Sequence, residues 1–182
     1  MDRLKIATVW FGGCSGCHMS FLDLDEFLVD LAGLVDIVYS PVIDTKEYPQ
    51  GVDVCLIEGA ICNEDNLELL HKIRERTKVL VSFGDCAVTG NVPALRNQLG
   101  AANADNVLQR AYVENAQHNP SLPHLDGIVP RLLPRVQPVH EVVHVEHFIP
   151  GCPPPAGNIK ALLTQVLQGT APRLEGAQLK FG

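Results

Sequence analysis

Residues 4–17 read "LKIATVWFGGCSGC". A short, mostly apolar run with β-branched residues runs directly into three glycines and two cysteines. Such a run reads as a strand buried on both faces of a parallel sheet. The glycines that end it permit a tight turn. The stretch therefore predicts a strand over Leu4–Trp10 with a thiol-bearing loop at its exit, and asks whether those thiols are incidental or half of a metal site.

Working outward, Leu34–Tyr39, Val52–Glu58 and Lys78–Phe83 have the same strand character, and a fifth strand is expected from about His144 to Ile149. Helix-length stretches lie between them at His18–Ala32, Asn63–Arg76 and Ala156–Gln168. This alternation predicts an α/β fold with right-handed crossovers and helices on both sheet faces. The expected form is a flavodoxin-like, doubly wound parallel sheet of order 2-1-3-4-5. At 182 residues, a single domain spanning 1–182 is the expectation.

Residues 100–143 break the pattern. Pro120, Pro123, Pro130, Pro134 and Pro138 follow one another too closely for a long helix or a central strand. A proline-rich insertion before the last strand, irregular or in short helices, is expected here. Its apolar residues Ile128, Val129, Leu132, Leu133 and Val136 suit a surface that packs on another subunit; covering one end of the sheet is the alternative.

Hydrophobic residues make up 46% and charged residues 19%, near ordinary globular usage, so disorder is not the expectation. A net charge of -7 and the absence of a basic cluster argue against a nucleic-acid partner. No apolar run approaches the length of a membrane span, and nothing ahead of the first strand resembles an export signal. A cytoplasmic chain without membrane contact is expected. In that compartment its six cysteines stay reduced and available to metal.

In an open parallel sheet every strand exits at the same edge, so loops distant in sequence meet there. Cys14 and Cys17 follow the first strand, Cys86 in "FGDCAVTG" follows the fourth, and Cys152 in "IPGCPPP" follows the fifth. Four thiolates from three loops suit either tetrahedral zinc or an iron-sulfur cube. One close pair with two distant singles favours the cluster, because cysteine-only zinc sites usually come as two close pairs. Glycine beside each group (Gly12, Gly13, Gly16; Gly84; Gly151) allows the backbone to approach a bound anionic centre. Cys55 reads as a buried core residue inside the third strand. Cys62 falls on the same crest but lacks an adjacent glycine, which argues against ligation.

"WFGGCSGCHMSFLDLDE", "IEGAI", "FGDCAVTGNVP" and "VEHFIPGCPPPAGNI" together resemble, in that order, the motifs of nickel-iron hydrogenase small subunits, most closely the soluble NAD-reducing (bidirectional) type. The resemblance covers nearly the whole chain. It implies a single flavodoxin-like iron-sulfur domain holding one proximal 4Fe-4S cluster on Cys14, Cys17, Cys86 and Cys152. It also implies a subunit of a hydrogen dehydrogenase that relays electrons from a nickel-iron site in a large subunit to flavin and iron-sulfur diaphorase subunits carrying the NAD site. The related cluster subunit of respiratory complex I shares G-C-P-P but has adjacent cysteines where this chain has "CSGC", which weighs against a quinone-reducing role. Other cytoplasmic hydrogenases, linked to NADP, a deazaflavin or ferredoxin, remain alternatives, as do an FMN carrier with incidental cysteines and a zinc-bearing structural module.

No G-x-G-x-x-G follows the first strand and no G-x-x-x-x-G-K-[ST] occurs, so NAD is expected to bind on another subunit. Glu58, at the end of the third strand, is the carboxylate expected in proton traffic or at the large-subunit interface, with a helix N-cap or a solvated carboxylate as the plainer roles. His18 is expected either to donate to cluster sulfur or simply to start a helix. "HEVVH" at 140–144 matches a zinc-protease pattern, but that chemistry needs both histidines on one helix face, and Pro138 and Pro150 leave little room for one.

Overall fold

The computed structural model describes residues 3–100 and 103–181. In chain order the elements are β1 (Leu4–Trp10), α1 (Gly16–Leu22), α2 (Glu26–Leu34), β2 (Val35–Tyr39), β3 (Val52–Glu58), β4 (Ile61–Asn63) and α3 (Glu64–Arg76). They continue with β5 (Thr77–Phe83), α4 (Asp85–Thr89), α5 (Asn103–Gln109), β6 (Leu132–Gln137), β7 (His147–Ile149) and α6 (Ala156–Leu167). The main sheet is parallel, in the order β2-β1-β3-β5-β7. With β4 and β6 set aside, this is the flavodoxin-like 2-1-3-4-5 order expected from the sequence.

Side chains of β3 alternate between two apolar cores. Val54 and Leu56 pack with Phe21, Leu31, Ile159 and Leu163, under α1, α2 and α6. Cys55 and Ile57 pack on the opposite face with Leu70, Ile73 and Ala87, under α3 and α4. Helices on both faces explain why the central strands are nearly continuous in hydrophobicity.

Register aligns the strand ends. Trp10 pairs with Glu58, Glu58 with Phe83, and Phe83 with Ile149. These four residues form one row, so β1, β3, β5 and β7 end level and their exit loops start from a common line.

Three expectations need correction. The single helix over His18–Ala32 is two helices, because the chain breaks at Asp23–Asp25, where Asp25 takes a φ of 49°. The break lets Leu24 bury in the same core as Phe21 and Leu31. The fifth strand begins at His147 instead of His144. Finally, the insertion is less irregular than expected: it contains α5, a single π turn at Arg110–Glu114, and β6, which pairs antiparallel with β4. Pro134 is tolerated in β6 because this strand belongs to a two-stranded sheet and stands at an edge.

Late entry of β7 is tied down by Arg74. Its Nη1 donates to the His144 carbonyl and to both Glu146 carboxylate oxygens at 3.0 Å, and its Nη2 donates to the Thr77 and Lys78 carbonyls. Glu146 in turn accepts the Leu80 N–H at 2.6 Å. Burial pushes the Glu146 carboxyl up, but the Leu80 N–H and Arg74 more than offset it and hold it below its ordinary value of 4.5. A depressed folded-state value means this stabilisation is complete above the ordinary value and lost as pH falls through the lower folded one. Arg74→Ala is expected to cost about 2 kcal/mol, lowering Tm by roughly 4–8 °C at neutral pH. Thermal unfolding measured from pH 7 down to acid should show the gap between variant and parent narrowing as pH falls from the ordinary glutamate value through the lower folded one, with the share of the three carbonyl bonds remaining.

Candidate metal centre

The loop after β1 is fastened to the loop after β3. Phe11 N–H donates to the Glu58 carbonyl at 2.8 Å, and Gly12 and Ala60 exchange N–H···O bonds of 2.9 and 2.7 Å. A Cβ on Gly12 would lie 2.1 Å from Cys62 Sγ, so the fifth thiol is packed against this loop and explains the glycine. Cys14 emerges exposed, Ser15 turns the chain with a φ of 64°, and Cys17 enters α1 buried.

Glu58 is only 2% exposed. Its carboxylate accepts the backbone N–H of His18 at 2.9 Å and of Cys17 at 3.4 Å, and pairs with His18 Nδ1. The residue thus grips the first turn of α1 and with it the Cys14–Cys17 loop. It is the capping role, not a free carboxylate, that the geometry displays. His18 stands between Trp10 and Phe83, with centroids at 5.2 and 5.8 Å, and its Nε2 is buried with no hydrogen-bond partner.

The remaining loops close on this one. Gly84 has a φ of 85°, and a Cβ there would come 2.1 Å from Cys17 Sγ and 3.5 Å from the Gly151 carbonyl. Gly84 therefore lies at the point where the exits of β1, β5 and β7 meet, and only glycine fits both its backbone angle and its space. Gly84 N–H donates to the Ile149 carbonyl at 2.8 Å. Ser20 of α1 donates to the Pro154 carbonyl at 2.5 Å, tying α1 to the "GCPPP" loop. Cys86 is half-buried in α4 and Cys152 is exposed in its loop.

Cys17 and Cys86 both feel the other thiols. Burial raises the Cys17 thiol far above its usual range, and Glu58, Cys86, Cys14 and Cys152 each raise it further. Cys86 is pushed up to about 11, first by burial and then by Cys152, Cys14, Glu58 and Asp85. Neighbours that oppose the ionisation of Cys17 and Cys86 suit these thiols to metal cations among them, whose attraction for each thiolate outweighs that repulsion. This donor set fits a cationic metal group. Among the described residues, no three His, Cys, Asp or Glu side chains are arranged to hold a single metal ion.

Cys55 is fully buried in β3 and burial pushes its thiol up to about 12, in keeping with a core role. The "HEVVH" residues form a 3-10 turn at Val139–Glu141 followed by irregular chain, so the two histidines share no helix face. Sequence reasoning did not single out Ser20, Asp85 or the reach of Glu58 to α1. The positions of Gly84 and Asp85 beside Cys86 were a local signal; the bond of Ser20 to Pro154, 134 residues away, had none.

Residues 14–166 match the family of the NADH ubiquinone oxidoreductase 20 Kd subunit. The chain belongs to this family. Among the relatives of this chain, the NAD-reducing hydrogenase HoxS subunit delta of Cupriavidus necator is 38% identical over 92% of this chain and 80% of its own length. The G subunit of the F420-non-reducing hydrogenase of Methanothermobacter marburgensis is also 38% identical, over 98% of this chain, which spans 58% of that protein. The chain thus spans little more than half the length of the methanogen relative. A chain of the NAD+-reducing [NiFe]-hydrogenase crystallised in the H2-reduced state superimposes with a TM-score of 0.92 at 38% identity, each chain covered completely. These relatives of the 20 Kd subunit family are hydrogenase subunits, as the cysteine motifs led us to expect.

Proposed function

We propose that the chain is the electron-transfer small subunit of a cytoplasmic NAD-reducing nickel-iron hydrogenase (H2 + NAD+ = NADH + H+), holding one 4Fe-4S cluster on Cys14, Cys17, Cys86 and Cys152. The observation that carries this reading is the meeting of three cysteine loops at Gly84, on the level crest of a parallel sheet. The likeness to HoxS subunit delta over 80% of that subunit, and to a chain of an NAD+-reducing [NiFe]-hydrogenase over its whole length, supports it. So does the name of an Archaeoglobus profundus relative, an iron-sulfur subunit of an F420-non-reducing hydrogenase.

A cluster of this kind would supply one-electron transfer. The chain's own part is to hold four thiolates in place, bury Cys17 and keep water from the inner side of the crest. Trp10, Met19 and Leu22 remain exposed beside it, Met19 at 60% and Leu22 at 55%. Apolar side chains left in water next to a redox centre suit a protein partner, and this face is assigned to the nickel-iron large subunit. Leu122, Leu125 and Ile128 of the insertion are exposed too, and supply a second face for the diaphorase subunits that carry flavin and the NAD site. For proton traffic through Glu58, His18 is the titratable side chain in contact with its carboxylate.

A second reading, a subunit of an F420-non-reducing type of hydrogenase, is favoured by equal identity to the methanogen protein but accounts for a smaller share of that relative's length. The chain itself, purified anaerobically, is expected to carry about four iron and four acid-labile sulfide, with an EPR signal on reduction. Zinc without sulfide, or flavin without iron, would overturn the reading.

A further inference from the structure

Each of the two loops that contribute one cysteine places a single residue before it: Asp85 before Cys86, Gly151 before Cys152. These two residues are bonded twice. Asp85 N–H donates to the Gly151 carbonyl at 2.9 Å, and Gly151 N–H donates to Asp85 Oδ1 at 2.6 Å. Both backbone polar groups of Gly151 are therefore held by one residue of the other loop. Gly151 itself has no alternative, since a Cβ there would lie 2.5 Å from Pro154 Cα.

We propose that Asp85 is a positioning residue for the metal group: its carboxylate latches Gly151 and so sets the spacing between the Cys86 and Cys152 thiolates. The latch lies beyond the sheet. Strands β5 and β7 are already joined at Phe83↔Ile149 and by the Gly84 N–H to the Ile149 carbonyl, so the carboxylate is not needed to pair them. What it adds is the placement of the two loops beyond them. At 4% exposure it acts away from water, where a bond to a carboxylate is strong and an unpaired Gly151 N–H is costly. Hydrogen-bonded groups that orient metal ligands typically change metal affinity about 10–100-fold when removed.

This inference rests on the functional reading above, and its test separates the two. Asp85→Ala, Asp85→Asn and Leu80→Ala are compared in the full chain, purified anaerobically by itself so that iron on other subunits does not enter the readouts. Leu80 lies in β5, ahead of Asp85, and is buried in the core under α3 and α4, so it reports plain destabilisation. The readouts are the rate of iron loss to an external chelator and the EPR line shape of the reduced sample. Asp85→Ala is expected to lose iron about tenfold faster than the parent, with an altered line shape. Asp85→Asn keeps an oxygen at the Oδ1 position and should stay within about twofold of the parent, a result that stands by itself should the alanine variant not accumulate. Leu80→Ala should lower Tm and leave both readouts unchanged. Iron loss from Asp85→Ala at the parental rate overturns the latch, as does loss from Asp85→Asn as fast as from Asp85→Ala, or from Leu80→Ala as fast as from either. Iron missing already from the unaltered chain would defeat the functional reading itself, and the latch with it.

Discussion

Cys17→Ala is expected to lower hydrogen-driven NAD reduction by the assembled complex at least about 100-fold, the upper range seen when metal-site residues are lost. Cys17 is the buried member of the four: Cys14 and Cys152 are exposed and Cys86 is half-buried. Its sulfur lies against Gly84, at the meeting point of all three loops, and feels the other three thiols. An alanine there leaves the inner side of the crest without a ligand, and no other thiol is free to take over, because Cys62 is packed against Gly12 and Cys55 is sealed in the core. Iron and sulfide content should fall together with turnover. Cys62→Ser, by contrast, should leave turnover within about twofold, since it changes a packed side chain that lies outside the proposed ligand set. Unaltered turnover in Cys17→Ala, or its loss in Cys62→Ser, would sink the ligand assignment.

Glu58→Ala is expected to be the most destabilising single change at the site. The side chain is buried and satisfies the Cys17 N–H, the His18 N–H and His18 Nδ1. Its removal leaves these buried donors without partners and frees the first turn of α1. Removing one member of a buried, hydrogen-bonded pair costs about 3–5 kcal/mol. In a domain of this size that lowers Tm by roughly 6–20 °C. Glu58→Gln keeps one carbonyl oxygen for the backbone N–H groups and should cost about 1–2 kcal/mol. A double-mutant cycle with His18→Ala isolates the side-chain pair, and should return a coupling of about 1–3 kcal/mol. Chemical or thermal unfolding of the full chain measures all of these; a Glu58→Ala variant as stable as the parent would show that α1 is held by other contacts.

Much of the fold was legible in the sequence. β1 and β3 begin and end where the apolar runs do, and β2 and β5 lie within one residue of expectation. Long apolar runs between glycine and polar breaks are local properties, and a strand buried on both faces has little freedom to be anything else. Helix α3 was equally legible because Asn63 caps it, accepting the Asn66 N–H at 2.8 Å, with acidic residues in its first turn and Arg74 and Arg76 in its last. Missed elements were those whose pairing is not local. β4 is three residues long and gains its identity only from β6, far along the chain. Pro134 hid β6 in turn, being a residue that normally excludes a strand. The split between α1 and α2 was hidden by Leu24, whose apolar character continues the helical pattern across the break.

By itself, then, the sequence determined that cysteines 14, 17, 86 and 152 follow the first, fourth and fifth strands of a parallel α/β sheet, because hydrophobic period and glycine punctuation are written residue by residue. Only the tertiary structure decided how those exits are held: Glu58 on the Cys17 and His18 N–H groups, Asp85 on Gly151, Gly84 where the loops touch. Such contacts join residues dozens of positions apart. They exist because Trp10, Glu58, Phe83 and Ile149 stand in one row, and register between strands is a property of the packed sheet rather than of any stretch within it.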